Sequence, residues 1–271
     1  MNTALLWRWI PTLYFSQGLP YVVVMTLSVV MYKNLGVSNT DIALYTSWLY
    51  LPWVIKPLWS PVVDLLGTKR RWIVLLQFLV GTAFALVALT LPGPKFLQMT
   101  LAMFWLMAFA SATHDIAADG FYMLALQQRQ QAAFVGVRST FYRLSMIGGQ
   151  GGLVYLAGYL AERQGSVVQA WTIVFWLLAA LFALAAAYHA WALPRPAIDQ
   201  PAPPRGKGAG TFWRDFAAVF AAFFRKPEVW RILTFLLLYR FAEAQLLKLV
   251  TPFLLDPRDV GGLGLRTQDV G

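Results

Sequence analysis

Asp115 and Asp119 stand four residues apart in the run Ala112-Thr113-His114-Asp115-Ile116-Ala117-Ala118-Asp119-Gly120, which puts both carboxylates on one face of a helix. Two acids that close in a poorly solvated setting cannot both ionise cheaply, so such a pair is suited to taking up and releasing a proton. His114 is next to them in the chain but projects elsewhere around the helix; it joins Asp115, Asp119 and Glu243 as a candidate for proton coupling. The alternative for Asp119 is that it reaches the interface and anchors the loop that follows.

Lys56 lies in the apolar run Leu51 to Arg71, between Pro52 and Pro57 and near Trp53 and Trp59. A bare cation at membrane depth costs at least ~2.5–3.5 kcal/mol, so it must face a partner or a wet cavity. Two readings follow: contact with an acidic group on a substrate, or an ion pair with Asp64 or another acid. Arg143, Arg240 and Lys248 are the other cations expected within spans, with Arg240 and Glu243 close enough at i, i+3 to neutralise one another. Set against Asp115, Asp119 and Glu243, these four cations leave a slight positive excess, which leans towards an anionic substrate. Gln17 and Gln150 complete the candidate substrate-binding set of Lys56, Gln17, Arg143, Gln150, Arg240 and Lys248.

The elements that position these groups must be membrane helices. Of the 271 residues, 59% are hydrophobic and 13% charged, whereas a soluble domain carries about 25% charged residues. The net charge of +10 is spread over short loops between apolar runs, a distribution unlike the single basic stripe of a nucleic-acid binder. Zero cysteines exclude thiol catalysis, thiolate metal sites and disulfides. No metal or cofactor is expected.

Stretches of spanning length occur near residues 10–32, 40–66, 72–92, 96–124, 139–161, 168–193 and 230–255. Lysine and arginine concentrate on one side of these seven spans, as in Lys69-Arg70-Arg71, which predicts a cytoplasmic N-terminus. Span one carries Pro11 and the helix-breaking run Phe15 to Pro20, read either as a tolerated kink or as a cavity lining. In span five, Gly148 and Gly152 have the small-xxx-small spacing of a close helix contact.

Residues 1–193 thus read as a six-helix bundle, and 194–229 as a cytoplasmic connector holding an amphipathic helix over 211–226 capped by Thr211. Residues 230–271 read as the start of a second bundle. Trp7-Arg8 is echoed by Trp230-Arg231, and Gly36 to Ile42 by Gly264 to Val270, so a duplicated unit is expected, in a natural chain of roughly 400 residues or more.

Two other function classes compete with a transporter. An intramembrane head-group transferase would need further aspartates soon after Asp119-Gly120, and none follows before Asp199. No phosphate loop, zinc spacing or serine-histidine arrangement stands out. A non-transporting receptor scaffold stays open.

The helix pattern resembles the major facilitator superfamily. Asp64, Gly67, Lys69, Arg70 and Arg71 match its gating motif after the second helix, with Ser60 and Leu65 departing from it. More specifically, the chain resembles the AmpG-type muropeptide permeases and the related acetyl-coenzyme A transporters. Gly18-Leu19-Pro20, Lys56-Pro57-Leu58-Trp59-Ser60-Pro61, His114 to Asp119, Tyr142-Arg143 and Tyr239-Arg240 with Glu243 carry this resemblance. It implies a proton-driven symporter of the inner membrane, monomeric when full length, that imports cell-wall sugar-peptides by rocking two bundles about a midplane site.

Overall fold

Proline and glycine decide where these helices are interrupted. The computed structural model describes residues 3–201, 209–239, 241 and 257–263, and among them every element is helical. The chain divides into two units, residues 1–203 and 204–271.

In the first unit, α1 (Thr3–Val22) runs unbroken through Pro11 and Pro20. Pro20 withholds a donor from the helical ladder, and the irregularity comes just after it, as a widened π turn over Val23–Leu27 ahead of α2 (Ser28–Asn34). The break therefore lies beyond the Phe15 to Pro20 run rather than within it. Span two is not one helix. It is α3 (Asn39–Thr46), a 3-10 turn (Ser47–Tyr50), α4 (Leu51–Ile55), a second 3-10 turn (Lys56–Leu58) and α5 (Ser60–Leu65). Pro52, Pro57 and Pro61 each remove a backbone N–H, which a continuous ladder over 40–66 could not absorb.

Then come α6 (Lys69–Thr90), capped by Thr68, and α7 (Phe96–Ala125). Span five is α8 (Gln128–Ile147), a π turn (Gly148–Leu153) and α9 (Val154–Gln164), the last ended by Gly165 at φ 65°. Ser166 caps α10 (Val167–Ala192). Thr3–Asn34, Lys69–Thr90, Phe96–Ala125 and Val167–Ala192 are each long and apolar enough to cross a bilayer.

The heads of α1, α6 and α8 meet the tail of α10 at one end of the bundle. There the Tyr188 hydroxyl donates to the carbonyl of Arg8, Trp7 packs on Phe134 with ring centroids 5.5 Å apart, and Arg70 Nε donates to Leu193 O at 3.2 Å. Below this basic end, one apolar cluster gathers Leu6, Trp9, Leu13, Phe121 and Phe134. A second gathers Val22, Leu27, Phe84, Phe104 and Phe175. Between the two lies a layer of polar side chains from α1, α6, α7, α8 and α10.

Glycine sets the close crossing of α1 and α8. A Cβ on Gly18 would fall 2.0 Å from Ser145 Oγ and 3.0 Å from Tyr142 O, and one on Gly149 would fall 2.3 Å from Val22 Cγ1. Gly148 and Gly152, expected to let helix backbones approach closely, have nothing within 4 Å of an added Cβ among the described residues. The π turn advances the helix by less than 100° per residue there, so a spacing argument built on a regular helix selects the wrong glycines.

In the second unit, α11 (Ala209–Phe224) contains Thr211 within the helix, two residues past its first, where a cap had been expected. Phe216 and Phe220 pack with centroids 5.3 Å apart. A turn at Glu228, φ 67°, leads to an apolar helix α12 (Val229–Tyr239). Arg240, Glu243, Lys248 and the 264–270 repeat lie outside the described residues.

Candidate functional site

The short helices of span two deliver Lys56 to α7. With Pro57 beside it, Lys56 opens a 3-10 turn instead of extending α4, and its Nζ donates to Asp115 Oδ2 at 3.4 Å. The Lys56 side chain keeps 34% of its exposure and that of Asp115 only 11%, so the pair sits at the margin of the buried layer with the lysine on the open side. Trp59 Nε1 donates to Thr113 Oγ1 at 3.1 Å and fixes the same turn against α7.

Gln17 of α1 comes within hydrogen-bonding reach of the Asp115 carboxylate, while its own Oε1 is buried with no partner among the described residues. A buried amide carbonyl without a donor is costly. Tyr142 of α8 is within electrostatic reach of Asp115 as well.

Asp119 is within electrostatic reach of Asp115 and Tyr142 but has hydrogen-bond partners of its own. Its Oδ1 accepts from Arg138 Nη2 at 3.0 Å and from the Tyr14 hydroxyl at 3.1 Å. The Arg138 guanidinium lies over the rings of Tyr14, at 4.6 Å, and Tyr122, at 5.1 Å. The two acids of one helical face thus have separate cations, Lys56 one turn deeper and Arg138 towards the basic end.

His114 points the other way. Gln77 Nε2 donates to His114 Nε2 at 3.2 Å, His189 Nδ1 donates to Gln77 Oε1 at 2.9 Å, and His189 Nε2 meets the Thr12 hydroxyl at 3.0 Å. Because the Gln77 amide nitrogen can only donate, His114 Nε2 must carry no proton, and because the Gln77 oxygen can only accept, His189 Nδ1 must carry one. Both histidines of the chain are joined through one glutamine, and Gln77, His114 and His189 are 0%, 4% and 0% exposed. Gln77, His189, Thr12, Tyr14 and Arg138 escaped the sequence reading. The available signal was that Gln77 and His189 are polar residues inside otherwise apolar spans.

Arg143 and Gln150 are exposed on α8 and its π turn, and neither joins Lys56 in an ion pair or hydrogen bond among the described residues. Of Asp64, Gly67, Lys69, Arg70 and Arg71, the structure pairs Asp64 with Lys69 and sends Arg70 to the end of α10. The Lys69 stem passes over Gly120, where a Cβ would lie 3.0 Å from Lys69 Cε. A Cβ on Gly67 would meet the Trp72 indole nitrogen at 3.3 Å. Asp199 accepts the backbone N–H groups of Lys69 at 2.7 Å and Arg70 at 3.0 Å, a carboxylate at the positive end of α6.

The model of the BT1 family matches residues 17–244. The chain belongs to the BT1 family. Among curated proteins it is similar to the anhydromuropeptide permease of Escherichia coli (strain K12), 28% identical over 264 residues, covering 95% of this chain and 49% of the relative. It is also similar to an uncharacterized protein of Haemophilus influenzae, 28% identical over 252 residues, covering 89% of this chain and 55% of the relative. The chain spans about half the length of these curated relatives. The AmpG-type resemblance read from the span-two and span-four motifs is the one that these relatives bear out.

Proposed function

We propose that this BT1-family chain forms the first bundle of a secondary transporter that imports an anionic cell-wall sugar-peptide together with protons across the inner membrane, its basic end in the cytoplasm. The observation that carries this reading is the Lys56–Asp115 pair at 3.4 Å, which sits beside the partnerless Gln17 Oε1 at the open edge of the polar layer. Protonation of Asp115 removes the negative partner of Lys56 and leaves the ammonium free for a substrate carboxylate. Substrate departure restores the pair and expels the proton. Coupling then follows from one cation serving two anions in turn.

The printed name of the E. coli relative supports the substrate class, and its length supports a second bundle that closes the site from the opposite side. Uptake of labelled anhydro-muropeptide by vesicles containing the full natural protein, with and without a pH gradient, tests the reading. Accumulation that needs the gradient is expected. Equal uptake without it removes proton coupling, and no uptake with it removes the substrate class.

A further inference from the structure

The face where α6 and α10 pack, away from the Lys56–Asp115 pair, carries a continuous groove. Its upper part, about 590 Å³, lies between Arg70, Arg71, Leu75 and Phe78 of α6 and the alanines at 183, 186, 187 and 190 of α10. Its lower part, about 340 Å³, shares Phe78 and Ala183 and continues past Gly81 and Ala85 to Trp176. From Arg71 to Ala85 the path is about 21 Å at 1.5 Å per residue, somewhat more than the ~15 Å hydrocarbon depth of one leaflet. The walls are apolar and α10 is shaved to alanine along them, which leaves room for a chain-shaped ligand rather than for a bulky one.

The mouth is cationic. Arg70 spends donors on the carbonyl oxygens of Ala190 and Leu193 at the end of α10. Arg71 and Arg195 lie within electrostatic reach of Arg70, are exposed, and form no ion pair among the described residues. Asp199, a carboxylate within reach of Arg70, already accepts two backbone N–H groups. Two guanidinium groups line the head of a groove of acyl-chain length, and a third, on Arg195, follows closely after Leu193, whose carbonyl Arg70 holds; together they are complementary to a ligand with an anionic head and a hydrocarbon tail.

We infer that the α6–α10 groove binds one anionic diacyl phospholipid from the leaflet at the Lys69 end of the bundle, with its phosphodiester at Arg71 and Arg195 and one acyl chain laid along the alanines towards Trp176. Native mass spectrometry of the intact full-length protein, released from micelles containing equal amounts of phosphatidylglycerol and phosphatidylcholine, tests this directly. The wild type should retain one phosphatidylglycerol in preference. Arg71→Gln combined with Arg195→Gln should cut that preference by about thirtyfold, on the scale of one surface basic residue each. Ala183→Leu with Ala187→Leu should lose both lipids while the arginines remain. Inorganic phosphate offered without lipid should leave no adduct. Equal retention of the two lipids by the wild type, undiminished phosphatidylglycerol in either double variant, or a lipid-free dimer that occupies this face would each overturn the assignment.

Discussion

His114 and Asp115 are neighbours in α7, about 100° apart around the helix, and they serve two sites in the same polar layer that are built on opposite terms. On the side of Asp115 the groups are charged, the partner Lys56 keeps a third of its exposure, and one buried acceptor on Gln17 is left unmet. On the side of His114 the groups are enclosed and carry no carboxylate or ammonium, with Gln77 bonded to one nitrogen of each histidine. Charge is tolerable where water can reach it and where it can be neutralised by a mobile partner. In a dry interior, a closed chain of neutral hydrogen bonds is the stable arrangement. Under the proposed transport reading the first site changes state, whereas the hydrogen bonds of the second tie α1, α6, α7 and α10 together.

Removing the charge of Asp115 should have the largest effect. Asp115→Asn in the full-length protein is expected to abolish accumulation against a gradient, measured in vesicles, while the protein still folds. A variant that still concentrates substrate would erase the contrast between the two sites. Gln77→Leu should do the reverse. It leaves His114 Nε2 without its partner and removes one of the partners of His189, and should cost ~1–3 kcal/mol for the buried group left unmet, read as a lowered Tm. If its stability were unchanged and only its uptake lost, the histidine chain would belong to the working site.

Gly18→Ala should destabilise by ~1–3 kcal/mol through the clash at Ser145, with Ser145→Ala restoring part of the loss, whereas Gly148→Ala should be silent in the same unfolding assay. Lys56→Ala should raise the apparent KM for uptake more than it lowers expression. Asp119→Asn should have the smallest consequence, because Arg138 and Tyr14 tie it near the basic end, where water shares the load. A loss of uptake by Asp119→Asn equal to that of Asp115→Asn would join the two acids into one site.

The helices and the charged site were legible in the sequence to the extent that local pattern encodes them. Apolar length marks α6, α7 and α10 within a few residues, and the prolines around Lys56 announce an irregular approach to α7. The identity of the lysine's partner depends on how span two meets span four, which no spacing within either span records. The Gln77 chain was invisible for the same reason, since it joins residues 37 and 112 positions apart. The glycine contact failed by one residue because the helix changes period at that point. Asp199 was hidden differently: the proline-rich stretch around it has the composition of a mobile connector, yet this residue is buried against the head of α6.

That cap has a consequence for the order in which the protein is made. The first amides of α6 are met by a side chain 130 positions downstream, so they must rely on water until α10 has been synthesised and the chain has passed residue 199. The corner between α5 and α6 is then among the last parts of the first unit to settle, although it is among the earlier ones to leave the ribosome. A nascent chain arrested before Asp199 should be cut readily by protease around Thr68 to Arg71, and one extended well past it should resist.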